Sequence, residues 1–110
     1  MGGKSDVWVV VGEHRVRADT IQRVTVHTVG NARSLELKVT GSREPLWISV
    51  ASQYAGSYGD SVTEERLAEL ADELVRAIET AARSGQGHRI ALDSDGRGSR
   101  RWISEALTTL

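Results

Sequence analysis

The chain has no cysteine, which removes disulfides, thiolate metal sites and a cysteine nucleophile, and suits a reducing cytoplasm. Phenylalanine is absent too. Three tryptophans and two tyrosines are the whole aromatic complement, so each indole marks a position of interest. No run of eighteen apolar residues occurs, so no transmembrane helix is expected. The N-terminal Met1-Gly2-Gly3-Lys4-Ser5-Asp6 lacks the apolar run of a signal peptide. It also has Asp6 where an N-myristoylation pattern requires Ser or Thr. A frayed tail over residues 1–6 and a cytoplasmic location are therefore expected. Charge of one sign is lacking as well: the net charge is −1, which argues against a generic nucleic-acid binder.

What charge there is, is unevenly placed. Residues 1–50 have seven basic and five acidic groups, residues 51–85 three and seven, and residues 86–110 four and three. Arginine outnumbers lysine twelve to two beside abundant alanine and glycine, a usage that suggests a GC-rich bacterial genome. A length of 110 residues gives room for one domain with one core, residues 1–110.

The strongest pattern lies over residues 61–84. Leu67, Leu70, Ala71, Leu74, Val75, Ile78, Ala81 and Ala82 recur at three- and four-residue spacing, one apolar stripe at the helical period. Asp60, Ser61 and Thr63 are candidate N-caps, and Ser61 with Glu64 has capping-box spacing. Gly85 supplies a stop. Asp72–Arg76 and Glu79–Arg83 are i,i+4 pairs, while Glu65–Glu69 and Glu69–Glu73 repel; each is worth ~0.2–0.5 kcal/mol. Burial of one large apolar side chain is worth about 1.5–3 kcal/mol, so packing, not charge, must hold this helix. The stripe spans too few heptads for a coiled coil and predicts burial against the chain's own sheet.

Short β-patterned stretches precede it. Residues 7–11 are apolar throughout, and Gly12-Glu13 suits a type II′ hairpin turn. Residues 14–18 alternate, Asp19-Thr20 makes a short break, and 21–29 read as a third strand with a bulge near Gln22. Leu35-Glu36-Leu37-Lys38-Val39 is the cleanest alternation, and 46–50 follow Pro45 as a fifth strand. Four short links predict an antiparallel meander. Residues 51–60 form a Gly/Ser-rich loop, 88–92 a sixth strand, and Trp102, Ile103, Ala106, Leu107 and Leu110 are spaced for a short terminal helix, with a strand starting at 101–103 as the alternative. The expectation is an α+β domain: a bent, mostly antiparallel sheet of five or six strands, the long helix across it, and a short C-terminal helix or strand. Meander then helix resembles the element order of pleckstrin-homology-like barrels, a family that binds headgroups and peptides. In that family the helix closes the domain, whereas here about 25 residues follow.

Local motifs give little chemistry. Gly59-Asp60-Ser61-Val62 resembles the nucleophile block of GDS-type ester hydrolases, but no Asp-x-x-His follows to supply the base. Gly56-Ser57-Tyr58-Gly59-Asp60-Ser61 leads into a helix, yet Asp60 stands where a phosphate loop needs lysine. Asp93-Ser94-Asp95-Gly96 opens like a calcium loop without the closing glutamate. His14, His27 and His88 show no metal-ligand spacing. No enzyme, cofactor or metal is expected.

Two surfaces remain. Arg15, Arg17, Arg23 and His27, read as neighbours on adjacent strands, are the anion-binding candidates, with Lys38 nearby and Glu36 diluting the patch. Trp8, Val10 and Trp47 fall on the face opposite the core positions; with Trp102 they are the interface candidates, the terminal segment or a second copy serving as cover. The functional expectation is a non-catalytic interaction or assembly module. Its partner is a second copy, as a homodimer, or another protein. The alternative is a binder of anionic ligand, nucleic acid or lipid headgroup.

Overall fold

The computed structural model describes residues 6–30, 32–51, 62–94 and 100–107. Along the chain run β1 (Val7–Val11), β2 (His14–Arg17), a 3₁₀ turn (Ala18–Thr20), β3 (Ile21–Val29), β4 (Ala32–Val39), β5 (Leu46–Ala51), α1 (Glu64–Arg83), β6 (His88–Ser94) and β7 (Arg100–Ala106). The fold is α+β, with one long helix and two antiparallel-rich sheets. The expected single bent sheet is corrected. A four-stranded sheet A has the order β2-β1-β6-β7, and a three-stranded sheet B has the order β3-β4-β5.

The split has a local cause. After β2 the chain does not fold back on itself; it turns a corner through the 3₁₀ turn, with Ala18 buried. The Thr20 hydroxyl donates to the Arg17 carbonyl at 2.6 Å, and the Thr40 N–H donates to the Thr20 carbonyl at 2.8 Å. These bonds aim β3 into a separate layer, so the meander runs only from β3 to β5. The partner that β1 gains is β6, in parallel, with Val7 opposite His88 and Val9 opposite Ile90. Every other strand pair is antiparallel.

Turn chemistry follows the sequence. Gly12 has φ +59° while Glu13 does not take a positive φ, and Val11 pairs with His14; a two-residue II′ turn needs that combination. The register of β3 on β4 shifts between Ile21 and Arg23, the bulge expected near Gln22.

Residues 100–106 are strand, not the terminal helix first suggested by their spacing. Trp102 pairs with Leu92 and Ile103 with Ala91, so neighbouring apolar residues go to opposite faces of the sheet.

Helix α1 packs against strands of both sheets. Its Leu67, Leu70, Leu74, Ile78 and Ala81 are buried and join Val7, Val9 and Ile90 of sheet A and Leu35, Leu37 and Ile48 of sheet B in one core. The ridge centred on Leu74 is thus covered by the molecule's own strands. Val75 departs from the stripe and is 48 % exposed. The Thr63 side chain caps the helix by accepting the Arg66 N–H at 3.0 Å; Asp60 and Ser61, the other cap candidates, lie outside the described residues. At the far end the Ser84 and Gly85 N–H groups donate to the Ala81 and Ala82 carbonyls, and Gly85 has φ +75°.

The helix charges pair differently from the i,i+4 reading. Arg66 bonds Glu69 at 3.1 Å and Glu73 at 2.9 Å, so the two acids expected to repel share a cation. Arg76 reaches the Asp72 carbonyl at 3.5 Å. Among the described residues no helix is long and apolar enough to cross a membrane.

Candidate interaction surface

Because side chains alternate along each strand, placing Val7, Val9 and Val11 in the core turns Trp8 and Val10 to the outer face of sheet A. The register then orders that face in rows. Arg17 lies opposite Trp8, Trp8 beside Arg89, and Arg89 opposite Glu105. In the next row Arg15 lies opposite Val10, and Ala91 opposite Ile103; a third row has Asp93 opposite Arg101. Trp8, Val10, Ala91 and Ile103 are half-buried, while Arg15, Arg17, Arg89, Arg101, Asp93 and Glu105 are exposed. Ion pairs fix the edges: Arg89 to Glu105 at 2.9 Å, Arg101 to Asp93 at 3.9 Å and Arg17 to Asp19 at 3.1 Å. An apolar row thus crosses sheet A with charge above and below it.

The outer face of sheet B is built likewise. Arg23 stands opposite Lys38, and Glu36 sits between Thr25 and Trp47. His27 Nε2 lies 2.9 Å from Glu36 Oε1, and the His27 and Trp47 rings meet edge-on with centroids 4.8 Å apart. Trp47 is 50 % exposed. Where the two sheets adjoin, a groove of about 550 Å³ is lined by Val10, Trp47, Ile48, Val50, Ala91 and Arg100. The Arg100 Nε–H donates to the Val50 carbonyl at 2.9 Å, tying β7 to β5 at its floor.

The expected residues are therefore partly united. Val10 and Trp47 share a groove, and Trp8 lies in the row beside it. Trp102 does not join them. It turns inward, and its indole N–H donates to the Leu70 carbonyl at 2.8 Å, so it docks the helix and covers nothing on the outer face. The four cationic candidates form two pairs rather than one patch, because β2 and β3 belong to different sheets. Arg15 and Arg17 stand with Trp8 and Val10; Arg23 and His27 stand on sheet B, with His27 engaged by Glu36. Sequence reasoning missed Ala91, Arg89, Ile103 and Glu105. The alternation within β6 and β7 was the available signal, but their adjacency to β1 was not.

Among the described residues no group of three or more His, Cys, Asp or Glu could hold a metal ion, and none of the buried residues is polar or charged. His88 Nδ1 lies 3.0 Å from the Gln86 carbonyl, away from His14 and His27 in the strand order. The Gly56–Ser61 loop motif and the Asp95-Gly96 half of the calcium-like motif lie outside the described residues. Arg66 has its pKa raised above the ordinary arginine value, chiefly by the Glu73 hydrogen bond and also by Glu69, with desolvation opposing. That cation also donates to the Arg100 carbonyl at 2.6 Å, pinning the start of β7 to the helix. None of the family models, curated proteins or solved structures compared with this chain matches it.

Proposed function

We propose that this domain is a non-catalytic protein-interaction module that self-associates, working as a cytoplasmic homodimer through sheet A. The observation that carries the reading is the half-buried row of Val10, Ala91 and Ile103, with Trp8 beside it, bordered by Arg15, Arg17, Arg89 and Glu105. An apolar centre inside a charged rim is the anatomy of a protein interface. An outer sheet face built only for solubility would alternate to polar residues at these positions.

Sedimentation equilibrium over a wide concentration range tests it. Wild type should pass from monomer to dimer. Ile103→Lys, which puts a charge in the row, should shift that transition to higher concentration while leaving the far-UV spectrum unchanged. A chain that stays monomeric at the highest attainable concentration, and draws no protein partner to this face, refutes the reading.

A second reading, binding of an anionic ligand such as nucleic acid or a lipid headgroup, draws on Arg15 beside Arg17 and on Arg23 opposite Lys38. Salt separates the two. Binding to phosphates weakens steeply as ionic strength rises, whereas an interface centred on apolar side chains does not.

A further inference from the structure

Strand β7 ends sheet A, with no strand on its far side among the described residues. A bare edge invites another strand unless it is short, bulged, proline-bearing or covered. The opposite edge, β2, has four residues. By contrast, β7 has seven residues and no proline, and its register on β6 is unbroken from His88–Ala106 to Ser94–Arg100. On its helix side lies a groove of about 410 Å³, lined by Arg66, Arg76, Thr80 and Trp102, which leaves room beside the strand.

Which backbone groups face outward follows from one bond. The Leu107 N–H donates to the Gly87 carbonyl at 2.8 Å, in step with the β6–β7 ladder. In an antiparallel pair the bonded positions alternate, so residues 101, 103 and 105 direct their N–H and C=O toward β6. Those of Trp102, Ser104 and Ala106 point away from it. The Arg100 carbonyl fits this phase, since Arg66 takes it from outside.

We infer that β7 is the self-association edge, pairing antiparallel with β7 of a second copy about a two-fold axis at Ile103. This deepens the self-association reading above and rests on it. The sequence Arg101-Trp102-Ile103-Ser104-Glu105 is self-complementary in that register. Trp102 and Ser104 of the partner subunit exchange backbone bonds, which matches the outward phase. Arg101 faces Glu105 of the partner subunit, Glu105 faces the partner's Arg101, and the two Ile103 side chains meet. These are the non-hydrogen-bonded pairs, where side chains approach most closely. Each charged row then reads Arg89, Glu105, the partner's Arg101, the partner's Asp93, alternating in sign across four strands. Between the two charged rows, the apolar row of Val10, Ala91 and Ile103 runs on into its symmetry copy, and the two Ile103 side chains join the halves at the seam. No other register of β7 on itself places both opposite-charge pairs and the isoleucine pair together.

Two sets of variants test this. The chain has no cysteine, so Ile103→Cys introduces a single thiol. At a non-hydrogen-bonded pair across a two-fold axis it meets its copy at disulfide distance. Mild oxidation should give a covalent dimer with Ile103→Cys and not with Val10→Cys. Arg101→Glu and Glu105→Arg should each raise the dimer dissociation constant, on the order of tenfold, because two attractive pairs become repulsive. An equimolar mixture of the two variants should recover dimerisation as a heterodimer, a result that disruption of folding cannot mimic. If wild type dimerises but the mixture shows no recovery and Val10→Cys cross-links in place of Ile103→Cys, the β7 register is overturned while self-association stands. If wild type never dimerises, both fall.

Discussion

Leu74 sits at the middle of α1 with no exposed surface, in a core that takes residues from both sheets. Replacing it with alanine removes three carbons. At ~0.8 kcal/mol per methylene the transfer loss is about 2.4 kcal/mol. A cavity contribution adds to this, because a helix held against two layers cannot move toward one without leaving the other. Leucine-to-alanine changes at such sites cost roughly 2.7–5.0 kcal/mol, and the poor prospect of collapse here points to about 4 kcal/mol. That is a large part of the ~5–15 kcal/mol that holds a domain folded. Urea unfolding read by tryptophan fluorescence and by far-UV circular dichroism measures it. Trp102, bonded to the Leu70 carbonyl one turn away, reports whether the helix is docked. In thermal unfolding the same loss lowers Tm by roughly 16–32 °C, at 4–8 °C per kcal/mol for a domain of this size. Two companions sharpen the test. Leu74→Met keeps the volume and should cost less than ~1.5 kcal/mol. Val75→Ala, at the next position and 48 % exposed, should change stability by no more than ~0.5 kcal/mol. If Leu74→Ala costs under ~1 kcal/mol, or no more than Val75→Ala, the account of the core is wrong.

Removing the helix cap with Thr63→Ala should cost about 1 kcal/mol in chemical denaturation, and Thr63→Ser should retain most of it, since only the hydroxyl that accepts the Arg66 N–H is at issue. Gly85→Ala should cost about 1 kcal/mol, with Gly85→Asn milder. A Cβ there meets nothing within 4 Å, so the cost is that of holding φ +75° alone, and a larger loss in the melting curve would expose an unseen contact. Trp102→Phe keeps an aromatic side chain but removes the indole with its donor to Leu70, and should cost at least about 1 kcal/mol with loss of that indole's emission; no change in stability would mean the bond contributes nothing. Glu73→Gln should cost under ~1 kcal/mol, because the Arg66–Glu73 pair is partly exposed. The raised Arg66 pKa adds stability that is fully present below the ordinary arginine value and is lost only as pH rises through the higher folded value. Titration across neutral pH should therefore leave that contribution unchanged.

Elements whose signal is local were legible in the sequence. The helix stripe from Leu67 to Ala81, the Gly12 turn, the Gln22 bulge and the alternation of Leu35 to Val39 each declare themselves within a few residues. The division into two sheets did not, because it depends on a three-residue turn whose decisive feature, burial of Ala18, is a tertiary event. Nor did the β1–β6 pairing, for nothing in Val7–Val11 names its partner. The strand at Arg100–Ala106 was obscured because Trp102, Ile103, Ala106 and Leu107 fit a helical spacing and break the alternation of a half-buried strand; the outcome was set by pairing with β6 and by the bond from Trp102 to Leu70, which lies far away in sequence. Of the candidate surface, Trp8, Val10 and Trp47 were found from alternation alone. Its other half, Arg89, Ala91, Ile103 and Glu105, became visible only with β6 and β7 in place. The cationic candidates were misgrouped for the same reason that the sheet was, since both readings assumed β2 and β3 to be neighbours.

The parallel junction of β1 with β6 joins segments about eighty residues apart, and closing so long a loop costs on the order of 4 kcal/mol in chain entropy. Strand β1 leaves the ribosome well before β6 and must therefore wait with its hairpin mate while the whole of sheet B and the helix are made. Sheet B needs only hairpin closures and can assemble early. Translation order and assembly order thus run in opposite senses, and the nascent Val7–Val11 segment, apolar at every position, is the stretch most in need of shelter during the interval.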